Sequence, residues 1–254
     1  MTNKGSIDVV GFGPGNKEDM TFRAANAIQQ ADLVVGYKTY IEILQNIFPD
    51  ARYYSTPMTK EIERCAYAVE EALAGRRIAL VSSGDSGIYG MAGILLEMAD
   101  RTEGGNELEI RVIPGITAAS SAGAGLGAPL MHDTAIISLS DLMTPLQTIF
   151  QRVEAAAASD FVICFYNPRS RKRQDYLDRA CEIIRRYRAA TTPCGVASHV
   201  GREKESYVLT DLNHLPEAEI DMFSVVVIGN SQTKIMNGKL VTPRGYEEKY
   251  LDNG

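Results

Sequence analysis

No apolar run in this chain reaches the roughly 18–20 residues that cross a bilayer, so a helical membrane span is excluded. Paired cysteines are missing too. Cys65, Cys164, Cys181 and Cys194 stand far apart, none in C-x-x-C spacing, and no histidine lies near enough to complete a zinc motif. That excludes a sequence-local zinc site or a dithiol redox centre. Buried, reduced thiols and no bound metal are expected. Basic residues are outnumbered: 26 Lys and Arg face 32 Asp and Glu, a net charge of -6. A general nucleic-acid or anionic-membrane role is therefore disfavoured. Residues Met1 to Gly5 lack the apolar core of a secretion signal, which points to the cytoplasm.

The 254 residues suffice for one large or two modest domains. With 45% hydrophobic and 23% charged residues, the composition is that of an ordinary globular protein. One stretch stands out, Val81-Ser82-Ser83-Gly84-Asp85-Ser86-Gly87-Ile88-Tyr89-Gly90. A buried strand leads into it and a helix pattern from Ile94 to Ala99 leads out. A strand that ends in a glycine-rich turn brings bare backbone close to a ligand, at the carboxyl edge where open α/β sheets bind.

The other segments arrange themselves around that turn. Ile7–Phe12 is an apolar strand entering Gly11-Phe12-Gly13-Pro14-Gly15-Asn16, and Thr21 opens a helix. Ala31–Gly36 is a second strand. A short helix over Tyr40–Ile47 stops before Pro49, and Ile62–Leu73 is an amphipathic helix closed by Gly75. Arg77–Ser82 is the third strand, and Leu108–Ile113 another, ending at Pro114-Gly115-Ile116-Thr117. Strand and helix alternate, so a parallel sheet with helices on both faces is expected over 1–117. The small-residue segment Ala118–Gly127 reads either as a closely packed helix or as a connection.

Over 118–254 the pattern changes. Strands over Thr134–Asp141 and Phe161–Tyr166 are each followed by a helix, the first capped by Thr144 with Pro145 at its first position. The later strands, Cys194–Ser198, Ser206–Thr210, Phe223–Ile228 and Lys239–Thr242, have no long helix between them. Asn237-Gly238 is a hairpin signal. The fold class is therefore α/β with two domains, the second carrying a mixed sheet.

The glycine turns match no common nucleotide motif. G-x-G-x-x-G would need glycine at Asn16, and Gly84-Asp85-Ser86-Gly87 lacks the G-K-[ST] ending of a phosphate loop. Gly11, Gly13 and Gly15 fit a looser methyltransferase spacing. Yet the second strand ends Val34-Val35-Gly36-Tyr37 without an acidic residue, so an ordinary Rossmann site is disfavoured.

Three motifs together do resemble one family. Gly11-Phe12-Gly13-Pro14-Gly15, Ser83-Gly84-Asp85 with Ile88-Tyr89-Gly90, and Pro114-Gly115-Ile116-Thr117-Ala118-Ala119-Ser120 resemble the tetrapyrrole (corrin and porphyrin) methylases in order and spacing. The resemblance implies two α/β domains, an active-site cleft between them, bound S-adenosylmethionine that leaves as S-adenosylhomocysteine, and a homodimer. Val35–Tyr40, Ala128–Asp133, Ile137–Leu142, Cys164–Arg171 and Val241–Tyr246 further resemble those members that methylate a precorrin at C-17 and contract its ring in cobalamin synthesis. Alternatives are the cobalt-containing equivalent, another corrin-ring methylase, an RNA-binding relative of the fold and an idle corrinoid carrier. Long relatives carry a carboxy-terminal iron–sulfur extension. This sequence has no cysteines for it, which leans the reading to the metal-free substrate.

By that resemblance Pro14, Ser83, Gly84, Asp85, Ile88, Thr117, Ala118, Tyr166 and Asn167 contact the cofactor, with Gly13 on the substrate side. Asp85 also reads as a helix cap over the Gly87 and Ile88 amides, a job that can coexist with the first, and Asn167-Pro168 reads as a simple turn. Methyl transfer from a sulfonium needs alignment more than acid–base help. Ring contraction needs proton transfers at substrate oxygens, for which Asp141, Ser140 and His132 are the candidates. Arg169 and Arg171, at a helix start where cations oppose the dipole, suit the carboxylate arms of a tetrapyrrole.

Overall fold

The computed structural model describes residues 5–170 and 173–246. Arg171 and Lys172 therefore lie outside the described residues. The chain divides into two compact units, Met1–Ala118 and Ala119–Gly254.

Unit 1 contains β1 (Ser6–Gly11), α1 (Phe22–Gln30), β2 (Leu33–Tyr37), α2 (Lys38–Ile47), β3 (Tyr53–Thr56), α3 (Glu61–Leu73), β4 (Arg77–Ser82), α4 (Ala92–Arg101) and β5 (Glu109–Ile113). The sheet order is β3-β2-β4-β1-β5, and every pairing is parallel. Near-continuous apolar strands make sense here because both faces are covered. Ile7, Val9, Val35, Ile78 and Leu80 pack with Cys65, Ala68 and Val69 of α3 and Leu95 of α4. The alternate residues Val10, Val34, Ala79 and Val81 pack with Ala24 and Ile28 of α1 and Ile41 and Leu44 of α2. Thr21 caps α1 by accepting a hydrogen bond from Ala24 N at 3.1 Å.

The chain leaves unit 1 in α5 (Ala118–Leu126), followed by β6 (Gly127–Ala128), β7 (Thr134–Ser138), α6 (Leu146–Ala158), β8 (Val162–Tyr166), α7 (Tyr176–Ile184), β9 (Pro193–Ser198), β10 (Ser206–Asp211), β11 (Ser224–Ile228), β12 (Lys234–Met236) and β13 (Lys239–Val241). The main sheet of unit 2 has the order β10-β9-β11-β8-β7. β7 and β8 are parallel; β8, β11, β9 and β10 pair antiparallel in turn. Helices α6 and α7 pack Ile149, Val153, Leu177 and Ile184 on one face, against Ile163, Phe165, Val196 and Val226. A small sheet joins β12, β13 and β6.

Two local expectations change. Pro145 has φ -55° and ψ 135°, so it precedes α6 rather than opening it, and no side chain caps that helix. The small-residue segment is a helix, and at two of its glycines nothing larger fits: a Cβ at Gly125 would overlap the Tyr207 ring, and one at Gly123 would lie 2.9 Å from Leu130 Cδ1. All four cysteines are free and buried, and burial pushes the thiols of Cys65, Cys164 and Cys181 up to about 12.

Candidate active site

At the carboxyl edge of the unit 1 sheet, three turns stack backbone on backbone. Phe12 N donates to Ser82 O at 3.0 Å and Gly13 N to Gly84 O at 2.9 Å, so the turn after β1 continues as a ladder along the turn after β4. A Cβ at Gly13 would collide with Gly84 Cα and the Ile116 carbonyl oxygen. One at Gly11 would lie 2.7 Å from Gly115 N and 2.8 Å from Gly84 O. Only glycine permits this crossing of the turns after β1, β4 and β5. Gly84 takes φ +70°, the left-handed region, and Gly13-Pro14 is a cis peptide bond. Pro14 itself is buried.

Asp85 is the tie of this edge. One carboxylate oxygen accepts from Gly87 N at 2.8 Å, and the other from Gly115 N at 3.1 Å. The expected alternative, a helix cap, does not apply, because α4 starts at Ala92. Its first turn is met instead by Ser82, whose Oγ accepts from Met91 N at 3.2 Å. Ser86 is fully buried and donates to Val9 O at 3.1 Å, pinning the loop to β1. Between these anchors Ile88 and Tyr89 stand exposed, and Tyr89 holds φ +53°. A bulky residue in the left-handed region is costly and marks a loop whose conformation is imposed by its surroundings. Thr117 and Ala118 follow Gly115 at the start of α5, half-buried.

A buried arginine supports the same edge, and sequence reading missed it. Arg64 of α3 is 3% exposed and donates to Thr56 Oγ1 at 2.9 Å, Pro57 O at 3.2 Å and Met91 Sδ at 3.6 Å. Burial lowers its pKa, the direction expected of a cation taken from water. Its place directly before Cys65, on the face that also holds Ala68 and Ala72, was the available signal. An open groove of about 590 Å³ among Ala31, Asp32, Phe48, Pro49 and Arg52 lies at the amino ends of β2 and β3. That is the edge that parallel sheets do not use for ligands.

Unit 2 gathers its polar residues at the carboxyl ends of β7 and β8. Leu139 N donates to Tyr166 O at 2.9 Å, and Asn167 Nδ2 donates to Ser138 Oγ at 3.0 Å. Asn167 takes φ +51°, which asparagine tolerates. Tyr166 OH accepts from Ala119 N of α5. Arg173 Nη1 donates to Ser140 Oγ at 3.0 Å and reaches Asp141 Oδ1 at 3.5 Å. Tyr176 OH donates to Asp141 Oδ2 at 2.8 Å. The Tyr176 hydroxyl, with Arg173 beside it, holds the Asp141 carboxyl below the usual carboxylate range. Asp141 therefore stays a carboxylate at neutral pH and is a poor proton donor.

The remaining residues disperse. His132 precedes β7 while Ser140 and Asp141 follow it, so the strand separates them; the His132 Nε2–H donates to Pro243 O at 2.7 Å. Arg169 donates from Nη2 to Asp178 Oδ1 at 2.7 Å and Pro216 O at 2.6 Å. Among the described residues no group of three His, Cys, Asp or Glu side chains could hold a metal ion, and no helix is long and apolar enough to cross a membrane.

Comparison with known proteins gives these features relatives. Residues 6–216 match the family described as "Tetrapyrrole (Corrin/Porphyrin) Methylases". The "Probable cobalt-factor III C(17)-methyltransferase" of Salmonella typhimurium is 48% identical over 94% of this chain and 99% of its own length. The "Precorrin-3B C(17)-methyltransferase" of a Sinorhizobium species is 35% identical over 95% of this chain and 97% of its own. The crystal structure of the methyltransferase CobJ superposes with a TM-score of 0.88 at 35% identity, covering 94% of this chain and all of that one.

Proposed function

The chain belongs to the tetrapyrrole (corrin and porphyrin) methylases, and from that premise we propose that it moves a methyl group from S-adenosylmethionine to C-17 of cobalt-factor III, with ring contraction, in cobalamin synthesis. The observation that carries this reading is the 48% identity to the Salmonella cobalt-factor III enzyme over nearly the whole of both chains. A second reading, metal-free precorrin-3B as substrate, draws on the 35% identical Sinorhizobium relative. The thirteen-point difference in identity puts the weight on the cobalt-containing substrate.

The unit 1 edge fits a sulfonium cofactor better than a phosphate. It offers crossing glycine backbone and a carboxylate, but no lysine or arginine at the turn. We assign Pro14, Ser83, Gly84, Asp85, Ile88, Thr117 and Ala118 to holding it. When bound, the sulfonium supplies a methyl group that is already activated for transfer. Asp85 keeps two turns locked, so its contribution is to preset the loop that Gly84 and Ile88 present. Such presetting counts because alignment carries most of the rate of a displacement.

On unit 2, Ser140, Asp141, Arg173 and Tyr176 form one hydrogen-bonded cluster. We assign it to orienting the substrate. Arg173 is half-buried, and among the described residues its Nε has no hydrogen-bond partner. A substrate carboxylate would satisfy that donor by a charge-assisted bond. To test the function, the purified chain is given S-adenosylmethionine with cobalt-factor III or with precorrin-3B in parallel. A kcat/KM at least tenfold higher for cobalt-factor III is expected. The reverse ratio selects the second reading, and methylation of neither ends both.

A further inference from the structure

β9 runs parallel to β7 and β8, because each of its relations to them passes through the antiparallel β11. Its carboxyl end therefore lies on the same edge of the unit 2 sheet as Ser140, Tyr166 and Asn167. Ser224 pairs with Ser198, and Val226 with Phe165, so Ser224 stands at the level of Asn167. Two strand spacings, roughly 10 Å, then separate Asn167 from the end of β9.

At that end sits a cluster that neither the motifs nor the assignments above use. His199 follows β9 directly with φ +53°. Its Nε2 is 3.1 Å from Asp221 Oδ2. Asp221 is fixed in turn, since its Oδ1 accepts from Phe223 N at 2.8 Å and from Ser224 Oγ at 2.9 Å. Ser224 Oγ also lies 2.8 Å from Ser198 Oγ. The imidazole rests against the Phe223 ring, centroids 5.3 Å apart. Among the described residues the Nδ1 of His199 makes no hydrogen bond. One ring nitrogen is thus oriented by a carboxylate while the other is open, the arrangement that makes an imidazole a positioned proton acceptor. The backbone strain at His199 has the same sense: a left-handed non-glycine residue persists where the surroundings hold it.

We infer that His199 exchanges a proton with the tetrapyrrole during ring contraction, and that Asp221 is the positioning residue that holds its ring. This rests on the function proposed above. The step is an acid–base one. A substrate O–H bond breaks, its electron pair stays on that oxygen, and the proton goes to Nδ1. The resulting imidazolium is stabilised by the Asp221 carboxylate and returns the proton in a later step, so no oxidant or reductant enters. Histidine suits the task because it gains and loses a proton near neutrality. Asp141, held as a carboxylate by its neighbours, and His132, at the far end of β7, do not offer this combination.

The test is His199→Gly in the full chain, with methyl incorporation and ring contraction followed separately. Glycine suits a residue at φ +53°, so folding is preserved. Incubated with S-adenosylmethionine and cobalt-factor III, the variant should incorporate methyl within about threefold of the parent while contraction slows at least about 100-fold. Added free imidazole should restore contraction. Asp221→Asn should slow contraction in the parent and change nothing further in the His199→Gly background. Unimpaired contraction in His199→Gly, equal loss of both steps, or failure of imidazole to rescue overturns the inference alone. A parent chain that methylates neither tetrapyrrole overturns the proposed function and the inference with it.

Discussion

Asp85 and Asp141 are both aspartates at strand ends, yet their surroundings give them different work. Asp85 spends its two oxygens on the amides of Gly87 and Gly115. Asp85→Ala leaves those donors unmet and should destabilise the protein by about 1–3 kcal/mol. Affinity for S-adenosylhomocysteine, read by calorimetry, should fall at least tenfold. Unchanged affinity would remove Asp85 from the cofactor edge. Asp141 titrates lower in the folded chain than the ordinary 3.8, chiefly through the Tyr176 hydroxyl. Its ionised form therefore adds stability that is complete above that pH and fades as the pH falls through the depressed value. Tyr176→Phe should lower Tm near neutrality, and the difference from the parent should close as the pH falls through the depressed Asp141 value. A gap that persists in strong acid would mean that the hydroxyl acts through packing instead.

Elements show where sequence speaks and where it does not. The Asn237-Gly238 pair was legible as a hairpin, and it joins β12 to β13 with φ +49° and +69°. A Cβ at Gly238 meets nothing within 4 Å, so Gly238→Ala isolates the backbone term and should cost about 1–2 kcal/mol in denaturant unfolding. Helix α5 is the converse. In an exposed helix a glycine-to-alanine change gains about 1 kcal/mol, but at Gly125 the new methyl would overlap the Tyr207 ring. Gly125→Ala should therefore destabilise by about 1–3 kcal/mol; a stabilised variant would show that the ring yields. β1, β2 and β4 were readable because burial on both faces makes them near-continuous apolar runs. β3 was not, since Tyr53-Tyr54-Ser55-Thr56 is short and half polar. Arg64 and His199 escaped for a related reason. A charged helix residue and a loop histidine acquire meaning only when Thr56, Met91 or Asp221 is brought to them by the fold.

For the whole molecule, three weak glycine turns became specific by their order along the chain. The structure explains why the order matters: parallel β1, β4 and β5 deliver all three turns to one edge, where Gly11, Gly13 and Gly115 pack with no room for side chains and Gly84 takes φ +70°. The loops of that edge, rather than the helices behind it, carry the proposed chemistry. Unit 2 repeats the principle with different residues, bringing Ser138, Asn167 and Ser198 to the carboxyl ends of β7, β8 and β9. The central claim is methyl transfer to a single carbon. Its most direct test uses S-adenosylmethionine labelled with carbon-13 in the transferable methyl group, cobalt-factor III as acceptor, and the purified full chain. Nuclear magnetic resonance of the product should show one labelled methyl on C-17 of a contracted ring. A label on any other carbon, or no label in the macrocycle at all, would contradict the account.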